Sequence, residues 1–137
     1  MRHRKRRVRV GKKRAHVRAL LCQLSGDLLR LGAVTTTSKR ASALRSFLNP
    51  LFRLARAETL ASRRRVIGML RGNRRVYQLL RDYLAGGAEK DATNFLRLTP
   101  LPPRSGDAAP LVRVELLQFS RPGGKKKKGK DSGKGRK

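Results

Sequence analysis

Arginine and lysine crowd the start of the chain, which reads MRHRKRRVRVGKKRAH, and the first acidic residue is Asp27. The chemistry open to such a segment is phosphate binding, because an arginine side chain can donate two parallel hydrogen bonds to one phosphate group. Charges of one sign repel one another and bury little apolar surface, so the segment requires counter-charge from a partner. The candidate phosphate contacts of this arm are Arg2, His3, Arg4, Lys5, Arg6, Arg7, Arg9, Lys12, Lys13 and Arg14.

The whole chain repeats this imbalance, with 36 lysines and arginines against 8 acids and a net charge of +28 over 137 residues. The partner is therefore nucleic acid, an anionic membrane surface or an acidic protein. A membrane-binding helix needs a leucine-rich or aromatic face, and the arm offers only Val8 and Val10. Aromatic residues make up 4% of the chain, which disfavours recognition of single strands by base stacking. Recognition of folded nucleic acid by its shape and phosphates remains.

Catalytic groups are scarce. His3 and His16 lie among positive charges, and no carboxylate nearby in sequence could orient either ring. Cys22 is the single cysteine, which excludes an internal disulfide and a cysteine-based metal cluster, and it is predicted to be a small core residue. Residues 124–130 match the start of a phosphate-cradling loop, but Asp131 stands where that loop needs Ser or Thr. We expect no enzymatic activity, no metal and no cofactor.

Apolar residues spaced three and four apart predict four helices that could position the basic side chains. The first helix is expected at 14–31, with Leu31 on its apolar stripe, and the second from a Ser38 cap through a kink or break near Asn49. The third is expected between 59 and 71, with Leu60 on its apolar stripe, and the fourth from an Asn73 cap to Gly86. Alternation every two residues predicts strands near 33–37, 93–99 and 111–119. Prolines 100, 102, 103 and 110 are expected to exclude regular structure between the last two strands.

These elements predict an α+β fold, in which a small mixed three-stranded sheet is covered by about four helices. Residues 1–13 would form a basic RNA-binding arm, residues 14–119 a compact α/β body, and residues 120–137 a disordered tail rich in lysine and glycine. The tail contacts phosphate without specificity, serves as an import signal in a nucleus, or only raises solubility. Neither a transmembrane run nor a secretory signal is found, so a soluble, intracellular protein is expected.

The sequence resembles a known family along residues 1 to 119. The matching segments are MRHRK, KKRAHVRALLCQL, VTTTSKRASALRSFLNPLFRLA, ASRRRV and RSGDAAPLVRVEL, in this order. On these segments the chain is similar to the bacterial-type large-subunit ribosomal protein L17 family. Two features depart from the family: Val17 follows the histidine in place of arginine, and a Gly-Gly-Tyr-Thr-Arg run is absent before the penultimate strand.

The resemblance implies a non-enzymatic protein of the large ribosomal subunit, with its arm laid on the large ribosomal RNA near the exit of the peptide tunnel. Its partners would be that RNA and neighbouring ribosomal proteins, in the cytoplasm or, as a second possibility, in an organelle. The candidate RNA contacts beyond the arm are His16, Arg18, Thr36, Thr37, Lys39, Arg40, Arg63, Arg64, Arg65 and Arg104. For the three adjacent arginines a solvated helix face is an equal alternative, and the threonines fit ordinary strand positions. The alternative function is a nucleoid or chromatin-type protein that compacts DNA.

Overall fold

The computed structural model describes residues 13–86 and 94–119. Four helices and a three-stranded sheet make up this part of the chain, so the predicted α+β fold is confirmed. The helices are α1 Arg14–Leu31, α2 Ser38–Arg56, α3 Leu60–Met69 and α4 Arg74–Ala85, and the strands are β1 Ala33–Thr37, β2 Leu96–Leu101 and β3 Leu111–Leu116. The proposed arm, apart from Lys13, and the proposed tail lie outside the described residues.

Helix α1 has the bounds that its apolar spacing predicted. It ends at Gly32, whose φ of 81° is left-handed and whose backbone N–H donates to the carbonyl of Leu28 at 2.8 Å. Only glycine adopts this conformation without strain. One detail of the predicted stripe is wrong, because Leu31 is 52% exposed while Leu29 is buried.

Replacing Gly32 by Ala is expected to destabilise the domain by roughly 1 to 3 kcal/mol. The new Cβ would lie 2.3 Å from Cδ1 of the Phe119 ring, in addition to the left-handed strain. Gly68→Ala is the matched control, because Gly68 is helical and a Cβ added to it would have no neighbouring atom within 4 Å. This control should stabilise by up to about 1 kcal/mol. Urea unfolding measures the change in the free energy of unfolding for both variants. A change of the same sign for both would contradict the conformations assigned to the two glycines.

The sheet is antiparallel throughout and not mixed, which corrects the predicted topology. Its strand order is β1-β3-β2, and the central strand β3 pairs antiparallel with both edge strands. Strand direction depends on the path of the connecting helices and of the loop between β2 and β3, which a residue pattern does not contain. Pro100 lies within β2, so the expectation that it excludes regular structure is also wrong. An edge strand tolerates proline because one of its sides has no partner strand.

Helix α2 runs unbroken through Pro50, so the predicted break near Asn49 is wrong. Its first turn also differs from the prediction, since Ser38 is the first helical residue and Thr37 occupies the cap position without a side-chain hydrogen bond. The backbone N–H of Ser38 instead donates to the carbonyl of Pro110 at 3.0 Å. A neighbouring loop thus satisfies one of the backbone donors that the first turn of a helix leaves without a partner inside the helix.

Side-chain caps begin the other two helices. The Oδ1 atom of Asn73 accepts from the N–H of Val76 at 3.2 Å, which confirms the predicted cap of α4. Thr59 caps α3 in the same way, through Ser62 at 3.1 Å. Leu60 was predicted to belong to the apolar stripe of α3, yet it is 64% exposed.

The core lies between the helices and one face of the sheet. The Phe52 ring is at its centre, with ring centroids 4.6 Å from Phe95 and 5.4 Å from Tyr83. The Tyr83 hydroxyl donates to the carbonyl of Leu117 at 2.6 Å, and burial raises the pKa of this phenol. This bond ties α4 to the end of the sheet, so α4 holds its outer face in a fixed position.

Candidate nucleic-acid interface

The structure describes twelve of the twenty candidate contacts. The remaining eight lie outside the described residues: Arg2, His3, Arg4, Lys5, Arg6, Arg7, Arg9 and Lys12. Of the twelve, only Thr36 and Thr37 lack an exposed side chain. The exposed ones are distributed over three regions of the surface.

The first region is the start of α1, where Lys13, Arg14, His16 and Arg18 are exposed and no acid lies in the first turn. The Sγ atom of Cys22, one turn further along, donates to the carbonyl of Met69 at 3.6 Å. This contact brings the start of α1 next to the turn between α3 and α4. Burial raises the pKa of the Cys22 thiol, while the nearby charges of Arg71 and Arg18 act in the opposite direction. A buried thiol with a raised pKa is chemically inert, as expected for a core residue.

The second region is the end of the sheet at which β1 leads into α2. Lys39 and Arg40 are exposed in the first turn of α2. Thr36 is only 7% exposed and shares the helix-facing side of the sheet with its partner Val112, so its hydroxyl is not available for a contact. The side chain of Thr37 points to the other face, because successive residues of a strand alternate between faces.

Arg104 belongs to the loop beside this sheet end, and its charge is already neutralised. Its Nε donates to Oδ1 of Asp107 at 3.0 Å, in a pair that is largely exposed. Hydrogen bonds from Arg104 and from the N–H of Ala109 lower the pKa of Asp107 to about 2. The loop therefore presents a carboxylate beside its arginine, which reduces its attraction for phosphate.

The third region contains Arg63, Arg64 and Arg65 on α3, all exposed. The Cζ atom of Arg63 lies 5.7 Å from the centre of the Tyr77 ring on α4, over a groove between these helices and the end of α2. Sequence reasoning missed three arginines that line this groove: Arg56, Arg74 and Arg81. The last two are seven residues apart on the polar side of α4, and this helical spacing could have revealed them.

Few of these charges are paired with acids among residues 13–86 and 94–119. The ion pairs recorded among the described residues are Arg30 with Asp27, Arg104 with Asp107, and Arg113 with Glu115. All three lie at the surface, where such pairs contribute little stability. The excess of arginine over acidic side chains suits the binding of a polyanion.

The described residues hold neither a metal-binding cluster nor a membrane-spanning helix. These segments contain no group of three or more His, Cys, Asp or Glu that could hold a metal ion. Within the same segments, no helix has both the length and the apolar character needed to cross a membrane.

Comparison with known proteins gives one consistent family. The family described as Ribosomal protein L17 matches residues 20–117. Large ribosomal subunit protein bL17 of Chloroherpeton thalassium is 32% identical over 112 residues, which cover 82% of this chain and 66% of that protein. The bL17 proteins of Salinibacter ruber and Rubrobacter xylanophilus are each 32% identical, over 120 and 117 residues. These alignments cover 88% and 85% of this chain, and 60% and 96% of the two relatives. The chain thus spans slightly less than two thirds of the first two relatives.

Proposed function

The chain belongs to the ribosomal protein L17 family, and from this membership we infer that it is a structural constituent of the large ribosomal subunit. Its ligand is folded large-subunit ribosomal RNA, and neighbouring ribosomal proteins are its other partners. It has no catalytic role and needs no cofactor. Its place is in the ribosome, which is cytoplasmic in bacteria, near the exit of the peptide tunnel as the family resemblance implies.

One observation carries this proposal: basic side chains from distant segments are exposed on a small folded body with few acids to balance them. Lys39 and Arg40 lie at one end of the sheet, while Arg64 and Arg65 lie on α3. Such a distribution fits a ligand that surrounds the domain, and folded RNA presents phosphates on several sides. Each phosphate neutralised by arginine or lysine releases condensed counterions, which supplies affinity.

The arm supplies the larger share of the affinity in this proposal, and the surface arginines fix the orientation of the body. Phosphate contacts position a protein on nucleic acid without reading its sequence. The specificity for ribosomal RNA therefore comes from the match between the folded RNA surface and the spacing of these basic regions.

Sedimentation distinguishes this function from DNA compaction. Lysate containing the tagged full chain is washed at moderate salt and separated on a sucrose gradient, with and without nuclease specific for DNA. We expect the chain to sediment with large subunits and to stay there after DNA is digested. Release from the particle fraction by the DNA-specific nuclease would contradict the proposal and favour a nucleoid protein.

A further inference from the structure

A groove of about 950 Å³ lies between the end of α2, helix α3 and helix α4. Its walls carry four arginines contributed by all three helices: Arg56, Arg63, Arg74 and Arg81. Apolar surface is provided by Ile67, Leu84 and the ring of Tyr77. Concave sites of this size are typical of ligand-binding sites, and the lining of this one is richer in charged groups than in apolar side chains.

The charges of the groove are out of balance. Glu58 and Asp82 also line it, yet neither is paired with Arg63, Arg74 or Arg81 in any ion pair of the described residues. Arg56 is engaged elsewhere, with its guanidinium 4.5 Å from the centre of the Phe95 ring. Arg63, Arg74 and Arg81 still place three like charges in one concavity, where the partly enclosed walls strengthen their repulsion compared with open water. A bound anion relieves this repulsion, whereas the two carboxylates can accept hydrogen bonds from hydroxyl or amino groups of the same ligand.

Helix α4 arranges the groove residues in a definite order. Arg74, Tyr77 and Arg81 follow one face of the helix, with the tyrosine about one turn from each arginine. At a rise of 1.5 Å per residue the two arginines are about 10 Å apart along the helix axis. Long, flexible arginine side chains can close this span onto two successive phosphates, which leaves the base between them opposite the tyrosine ring.

We propose that this groove binds one unpaired nucleotide of ribosomal RNA, with its flanking phosphates on Arg74 and Arg81 and its base stacked on Tyr77. The inference rests on the proposed function for its ligand class, and it adds a base-stacking site that the low aromatic content disfavoured. A nucleotide uses both the arginines and the half-buried ring between them, whereas the carboxylates of an acidic peptide would use the arginines alone. Arg63 lies over the same ring at 5.7 Å, so the proposal requires its side chain to leave that face of the ring when the base stacks there.

Binding of oligoadenylate of ten nucleotides to the full chain tests the site at physiological salt. Arg74→Gln and Arg81→Gln are expected to weaken binding about fivefold, and Tyr77→Leu about tenfold. Tyr77→Phe keeps the stacking surface and should bind within about twofold of the unmodified chain. Arg75→Gln is the matched control, because Arg75 is exposed on α4 beside Arg74 but does not line the groove. Arg75→Gln should weaken the binding of oligoadenylate by less than about twofold.

Two further probes separate the alternatives. A ten-base-pair RNA duplex offers phosphates without a free base, so Tyr77→Leu should leave its affinity unchanged. A third series measures the binding of the same variants to oligoglutamate in place of RNA. If the groove variants weakened oligoglutamate but not oligoadenylate, the occupant would be an acidic protein segment and the inference would be wrong. Equal losses for Arg74→Gln and Arg75→Gln, or for Tyr77→Leu on duplex and single strand, would also overturn it.

The outcome for the groove is separable from the outcome for the proposed function. If the groove variants bind oligoadenylate normally while the chain still sediments with large subunits, only the groove inference fails. If the unmodified chain leaves the subunits after DNA digestion, the proposed function is wrong, and this result does not depend on the groove variants. Melting temperatures of all variants should match that of the unmodified chain, and binding is compared only among variants that meet this condition.

Discussion

A chain lacking residues 2 to 12 is expected to keep its folded body and to lose stable incorporation into large ribosomal subunits. An arm that makes about six phosphate contacts should contribute a slope of roughly −5 to log K against log salt. Between about 50 and 200 mM salt, such a slope corresponds to roughly a thousandfold change in affinity. The deletion stops before Lys13 because the carbonyl of Lys13 accepts the hydrogen bond from Val17 that begins α1.

The measurement compares the salt dependence of binding to large-subunit RNA for the full chain and the deleted chain. The tail offers a matched control, since residues 2–12 carry seven positive charges and residues 122–137 carry a net charge of +7. Removing the tail should leave the melting temperature unchanged and weaken cognate and random RNA equally. Equal slopes for the full and arm-deleted chains, with equal incorporation into subunits, would assign the affinity to the helix faces instead.

Replacing Leu80 by Asp is expected to unfold the domain. Leu80 is fully buried in α4 within the core formed by the helices and the sheet. The substitution removes apolar packing and places a carboxylate where no cation or water can reach it, at a cost of about 4 kcal/mol or more. A domain of this size is stable by about 5 to 15 kcal/mol in total, so most or all of its stability would be lost. Circular dichroism and thermal melting measure the effect.

Leu60→Asp is the matched control for Leu80→Asp, since both residues are helical leucines that take the same substitution. Leu60 is 64% exposed and is the first residue of α3, where a negative charge is compatible with the helix dipole. This variant should melt within a few degrees of the unmodified chain, because surface substitutions usually change stability by less than about 0.5 kcal/mol. A similar loss for both variants would show that the assignment of buried faces is incorrect.

Local structure was largely predictable from the sequence. The bounds of α1 and β1, the Asn73 cap and the alternation along β3 follow from apolar spacing and from residues with special backbone or capping properties. The helix through Pro50 was not predicted, since packing of the buried Leu48, Leu51 and Phe52 can outweigh the loss of one hydrogen bond. The exposure of Leu60 was missed because the spacing of a ten-residue helix is compatible with more than one buried face.

The candidate site, too, was predictable from the sequence only in part. The sequence by itself predicted a polyanionic partner, because a net charge of +28 calls for compensation, and it determined which segments carry that charge. Only the tertiary structure decided that the hydroxyl of Thr36 is buried. The pairing of Arg104 with Asp107, by contrast, is a contact between residues three apart in one turn, and the sequence spacing could have indicated it. The tertiary structure also decided that Arg63 meets the ring of Tyr77, fourteen residues further along the chain. The reason is that periodicity and capping act within one element, whereas the grouping of charges into a groove depends on how separate helices pack.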